Sequence, residues 1–183
     1  MPKKNKSSKV TPPAAPVARP IVITSVKRTR KTIEIAWTQG DASFDLSERD
    51  NPLPAFTEAL TNLAPVVGEI CHFQKAYCEA GLRCVGLTMS EQGGADVVSL
   101  HARKDIDDAA KEFAFKTPGR LLSHPTTEGR YTPPLSAADA ALVHEAVEQA
   151  KAYVRGERAQ GQIEFEDEDG DGHEDDKGEQ LPL

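Results

Sequence analysis

Leu82-Arg83-Cys84-Val85-Gly86-Leu87-Thr88-Met89-Ser90, then Glu91-Gln92-Gly93-Gly94, then Ala95-Asp96-Val97-Val98-Ser99-Leu100-His101-Ala102-Arg103-Lys104 is the stretch that decides the fold. A glycine pair between two apolar, β-branched runs supplies the positive φ angles of a tight hairpin turn. Val85, Leu87 and Met89 share one face of the first strand, and Val98, Leu100 and Ala102 share one face of the second. One side of this hairpin is therefore expected to be buried under a helix.

Working outward, Pro20 to Val26 is β-branched, and Thr32 to Trp37 alternates with Ile33, Ile35 and Trp37 on one face. These runs predict a second hairpin around the basic turn Lys27-Arg28-Thr29-Arg30-Lys31. Asp41 to Asn51 is polar and reads as a loop. Phe56, Leu60, Leu63, Val67 and Ile70 then recur at helical spacing, with Pro65 predicting a kink or two consecutive helices that end near Gly81. Past the central hairpin, Asp105 to Gly119 is compatible with a helix start at Asp107-Asp108-Ala109-Ala110 or with a short strand at Phe113-Ala114-Phe115, and the proline-rich Ser123 to Pro134 is a loop. Ser136 is a good N-cap with Asp139 three residues on. It opens a helix striped by Ala140, Val143, Val147, Ala150 and Val154 and stopped by Gly156. The order β-β-α-β-β-α predicts an α+β domain: an antiparallel sheet of two hairpins with helices packed on one face.

The ends have a different character. Residues 1–19 hold Lys3, Lys4, Lys6, Lys9 and Arg19, no acid and four prolines, the composition of a disordered basic arm. From Glu164 to Leu183, ten acids face one base, a sum of −9, whereas the whole chain sums to −7. Such a run repels itself and buries nothing, so residues 161–183 read as a disordered acidic tail, leaving 20–160 as the single folded domain. No apolar run suggests a signal peptide or membrane helix, and a cytoplasmic location, in the host cell if phage-encoded, is the expectation.

Cys71, Cys78 and Cys84 lack the paired spacing of zinc sites and read as buried thiols. Asp167, Asp169, Asp171 and Gly172 reproduce the opening of a calcium-binding loop, but Gly178 stands where the bidentate Glu is required. The five histidines form no ligand pair, and His101, beside Arg103, reads as an ordinary sheet histidine. Ser43, Ser47 and Ser90 lack a nucleophile-elbow context. No cofactor, metal or catalytic residue is expected, which argues against an enzyme. Lys27, Arg28, Arg30 and Lys31, with the basic arm, are candidate phosphate ligands for nucleic acid. Trp37 reads as a core residue.

Gln160-Gly161-Gln162-Ile163-Glu164-Phe165 resembles the hexapeptide form of the bacterial sliding-clamp-binding motif, and Gln180-Leu181-Pro182-Leu183 resembles the first four residues of its pentapeptide form. That resemblance implies partner-binding roles for Gln160, Ile163, Phe165, Gln180, Leu181 and Leu183, docked as extended peptides. An acidic arm ending in apolar residues is also similar to the tails of bacterial and phage single-stranded-DNA-binding proteins, with Leu183 where their terminal Phe stands. Gly81-Leu82-Arg83-Cys84-Val85-Gly86, Lys116-Thr117-Pro118 and Gly156-Glu157-Arg158-Ala159-Gln160 resemble small proteins of temperate-phage replication regions over residues 30 to 165. Together these imply a non-enzymatic phage accessory protein of DNA replication or recombination, recruited through its C-terminal motifs to a protein partner such as the sliding clamp. One alternative is a single-stranded-DNA-binding protein with an autoinhibitory acidic tail. A DNA mimic or inhibitor of a host protein is another, which the balance of 16 bases against 19 acids from Pro20 to Ile163 disfavours.

Overall fold

A computed structural model describes residues 19–49, 52–79, 81–106, 111–125, 129 and 131–158. The elements run β1 (Ile21–Arg28), β2 (Ile33–Gln39), β3 (Ala42–Glu48), α1 (Pro54–Thr61), α2 (Ala64–Ile70), α3 (Lys75–Glu79), β4 (Leu82–Gln92), β5 (Ala95–Ile106), β6 (Lys111–Lys116), β7 (Arg120–Leu121) and α4 (Ala137–Val154). The strands form one antiparallel sheet in the order β3-β2-β1-β4-β5-β6, with β7 also paired to β5.

The central hairpin forms with Gln92 opposite Ala95 and both Gly93 and Gly94 at positive φ; Leu87 and Met89 face the core as expected, but Val85 does not. Its register moves by one residue at Val85: Gly86 pairs with His101, but Cys84 pairs with Ala102. This bulge keeps Leu82 and Cys84 on the buried face while turning Arg83 outward. Gly86 is required by its neighbour, because a Cβ there would stand 2.1 Å from the Val26 carbonyl oxygen on β1.

Two expectations are corrected. Asp41 to Asn51 is not a loop, since most of it is β3, paired along its whole length to β2 through a two-residue turn with Gly40 at φ 64°. Ala42 to Glu48 alternates as an edge strand must, with Phe44 and Leu46 opposite Trp37 and Ile35 on the helix face and Ser43, Asp45 and Ser47 on the other. Two hairpins are accordingly too few: β6 and β7 extend the sheet past β5. Between them Pro118 interrupts the strand, and buried Thr117 keeps the ladder by donating its N–H to Leu100 O and accepting the Leu100 N–H on Oγ1, both at 2.9 Å. The long helical segment divides into three, with Pro65 in the first turn of α2. The strand reading of Phe113-Ala114-Phe115 holds, while the alternative helix start at residues 107–110 lies outside the described residues, as do the basic arm up to residue 18 and the acidic tail.

The core lies between the helices and one face of the sheet. Phe56, Leu60, Leu63, Val67 and Ile70 are buried against Ile23, Val26, Ile35, Leu87 and Leu100. The buried stripe of α4 is Ala140, Val143, Ala146, Ala150 and Tyr153, and Val147 and Val154 sit at its margin. Ser136 caps α4 by accepting the Asp139 N–H at 3.1 Å, and the helix ends at Gly156 with φ 98°. Trp37 is half-buried against this core and stacks on Phe44 at 5.4 Å. Cys84 is a buried thiol, whereas Cys71 and Cys78 are only partly buried. Among the described residues no helix is long and apolar enough to cross a membrane.

Candidate nucleic-acid interface

The pairing of β1 with β4 covers only Ser25–Lys27 against Gly86–Thr88. Beyond it the two strands separate, and a cleft of about 350 Å³ opens between them, within the size range of ligand sites. Arg28, Thr29 and Arg30 line one side, Arg83, Cys84 and Val85 the other, with Arg103 and Glu112 beyond, and Thr57, Leu60 and Thr61 of α1 close it on the helix side. Four guanidiniums therefore meet one lining carboxylate.

That carboxylate is the acceptor for three of the four arginines. Glu112 accepts from Arg83 Nη2 at 2.7 Å, Arg103 Nη1 at 2.8 Å and Arg30 Nη2 at 3.0 Å. The Arg103 hydrogen bond, opposed by desolvation and seconded by Arg30, pulls the Glu112 carboxyl below its ordinary range, so it is ionised at neutral pH. Arg83 Nη2 also reaches Asp105 Oδ1 at 2.8 Å, and Arg28 Nη1 donates to Thr57 Oγ1 at 3.0 Å.

On the sheet face away from the helices a row continues from the cleft: Lys27 is opposite Gly86, Gly86 opposite His101, and His101 opposite Lys116. His101 bonds Thr88 Oγ1 at 2.6 Å. Burial first, then Lys116 and Lys27, lower its pKa, leaving it neutral at pH 7. On the other side of the β1–β2 turn, Arg28, Thr29 and Arg30 also border a shallow depression shared with Lys31 and Arg49. Cations thus stand on both sides of the cleft, at Lys31 and Arg49 and at Lys27 and Lys116, with Glu34, Asp105 and Glu112 paired among them.

Of the residues expected from sequence to contact nucleic acid, Arg28 and Arg30 enter the cleft, Lys31 stands at its outer margin, and Lys27 lies in the row beside it, paired to Glu34 at 3.5 Å. Gln160, Ile163, Phe165, Gln180, Leu181 and Leu183 lie outside the described residues. Sequence reasoning missed Arg83, Arg103 as a ligand, Arg49 and Glu112. They come from three strands and a strand end far apart in the chain, and only the hairpin signal around Gly93-Gly94 could have brought Arg83 near Arg103.

No family model matches this chain, and neither the curated proteins nor the solved structures contain a match to it.

Proposed function

We propose that this protein binds single-stranded DNA, its phosphates held by the arginine cleft and the adjoining cationic row, and serves as a non-enzymatic accessory factor of DNA replication or recombination. The observation that carries this reading is the convergence of Arg28, Arg30, Arg83 and Arg103 on one cleft. Guanidiniums are planar forks that stay charged and match phosphate oxygens two at a time, the chemistry a backbone-reading surface needs. The protonation states in the cleft favour recognition over catalysis. The Glu112 carboxyl, lowered by its arginine donors, is ionised and already engaged, and burial pushes the Cys84 thiol up to about 12, too high for a thiolate nucleophile.

The test is fluorescence anisotropy of a labelled oligothymidylate of about 15 nucleotides, a length suited to a single small domain. Wild-type affinity should fall steeply with salt, and Arg83→Gln/Arg103→Gln should weaken binding and flatten the slope by about 0.7 for each phosphate no longer neutralised. Equal affinity and equal slope in wild type and variant would remove the cleft from the reading.

A second reading, docking of Gln160–Phe165 to a sliding clamp, is favoured by where the described chain ends. Arg158 pairs with Glu48 at 2.8 Å and covers the Tyr153 ring at 3.5 Å, so the last described residue lies beside the edge strand β3. Glu48 is opposite Ile33, and Ile33 opposite Arg28, about 10 Å over two strand spacings. Calorimetry with a bacterial clamp separates the readings: loss of binding in Ile163→Ala/Phe165→Ala supports docking, and no wild-type binding at tens of micromolar, about 6 kcal/mol, excludes it.

A further inference from the structure

Arg30 comes from the β1–β2 turn, Arg83 from β4 and Arg103 from β5, yet all three donate to the one carboxylate on β6. Oε1 of Glu112 accepts from Arg30 and Arg83, and Oε2 accepts from Arg103. Three cations on one anion exceed what neutralisation requires, and Asp105 offsets only one more. The two carboxylate oxygens occupy the positions that two oxygens of a phosphate would take among the same forks. The ion pairs can also be exchanged. The Arg30 side chain is 81% exposed and Arg83 49%, so their pairs separate at little cost, whereas Arg103 and Glu112, 25% and 20% exposed, make the more enclosed pair; β6 pairs only with β5 among the described residues.

We propose that the point where Arg30, Arg83 and Arg103 meet is a phosphate-binding site that Glu112 occupies in the free protein, and that a phosphate enters by displacing this carboxylate. The identity of the phosphate as part of a DNA strand rests on the function proposed above; the site itself does not. Glu112 is then an internal competitor, lowering affinity while keeping the arginines together. Were it a brace that orients the arginines for the ligand, its removal would have the opposite sign.

The experiment uses the full chain, wild type and Glu112→Gln, titrated separately with inorganic pyrophosphate and with oligothymidylate. The variant should bind both roughly tenfold more tightly, with a salt slope for the oligonucleotide steeper by about 0.7, as one more cation becomes available. Pyrophosphate should also raise the melting temperature of the variant more than that of wild type. Unchanged or weaker binding of both probes by folded Glu112→Gln would overturn the proposal. Should that variant not fold, Glu112→Asp, whose carboxylate reaches one methylene less, is expected to shift affinity in the same direction, and a shift the other way overturns it. Tighter pyrophosphate binding with no oligonucleotide binding in either protein would leave the phosphate site standing and defeat the DNA function.

Discussion

Arg83 and Arg103 are direct cross-strand partners on β4 and β5, a placement produced by the one-residue register change at Val85. Like charges in that position are ordinarily unfavourable in a sheet. Here Glu112 bonds both, and Asp105 bonds Arg83. Arg83→Ala removes a repulsion together with exposed ion pairs, so stability should change by less than about 1 kcal/mol. DNA affinity should nonetheless fall. Thermal melting and anisotropy on the same preparation check both halves.

His101 predicts a pH response. Its depressed pKa means that the unfolded chain takes up a proton first as pH falls through the ordinary histidine value of about 6.5, so folding stability present at neutral pH is lost below it. Lys27, Lys116 and the Thr88 hydroxyl face the ring, and a bound phosphate beside it would favour the charged form. Oligothymidylate affinity should therefore increase severalfold from about pH 7.5 to about pH 5.5, and His101→Gln should remove most of that increase. An equal pH response in the variant would place the titrating group elsewhere.

The Cys84 thiol predicts the opposite end of the pH range. Its folded-state pKa of about 12, set chiefly by burial, lies above the ordinary thiol value of about 8.5. The contribution to stability is intact below the ordinary value and is lost as pH rises between the two. Stability of wild type should decline more steeply above about pH 9 than that of Cys84→Ala, once the cavity cost of the variant is allowed for. In native protein Cys84 should also react with thiol reagents only after unfolding; rapid labelling identified at Cys84 by peptide mapping would contradict its burial.

His72 stands at φ 54°, and the following Phe73 N–H closes onto Gly68 O at 2.9 Å, so α2 ends in a left-handed cap built on a residue with a Cβ. Glycine relieves that conformation. His72→Gly should stabilise the fold by up to about 1 kcal/mol, read as an increase in the denaturant midpoint.

Periodicity revealed the central hairpin, the β1–β2 pair, the core-facing residues of α1 and α2, and the capped start and stop of α4, because in each the local signal and the tertiary demand agree. It missed β3, whose Ser43, Asp45 and Ser47 look like loop residues until Phe44 and Leu46 are seen to alternate with them. It shifted the stripe on α4, placing Val147 and Val154 in it where Ala146 and Tyr153 are the buried residues, Tyr153 against Phe56 with ring centroids 5.8 Å apart. The cleft was half legible. Arg28 and Arg30 announce themselves as a basic turn, but Arg83, Arg103 and Glu112 are single charges in separate strands, and nothing local encodes a bulge at Val85 or the separation of β1 from β4.

The central claim is that DNA lies in the arginine cleft, and photo-crosslinking tests it most directly. Oligothymidylate carrying 4-thiothymidine, irradiated with the full-length protein and mapped by mass spectrometry, should attach to peptides containing Arg28–Lys31 and Arg83–Val85, with both signals lost at high salt. Crosslinks confined to the basic N-terminal residues 1–19, or to the helix side around α3 and α4, would contradict it.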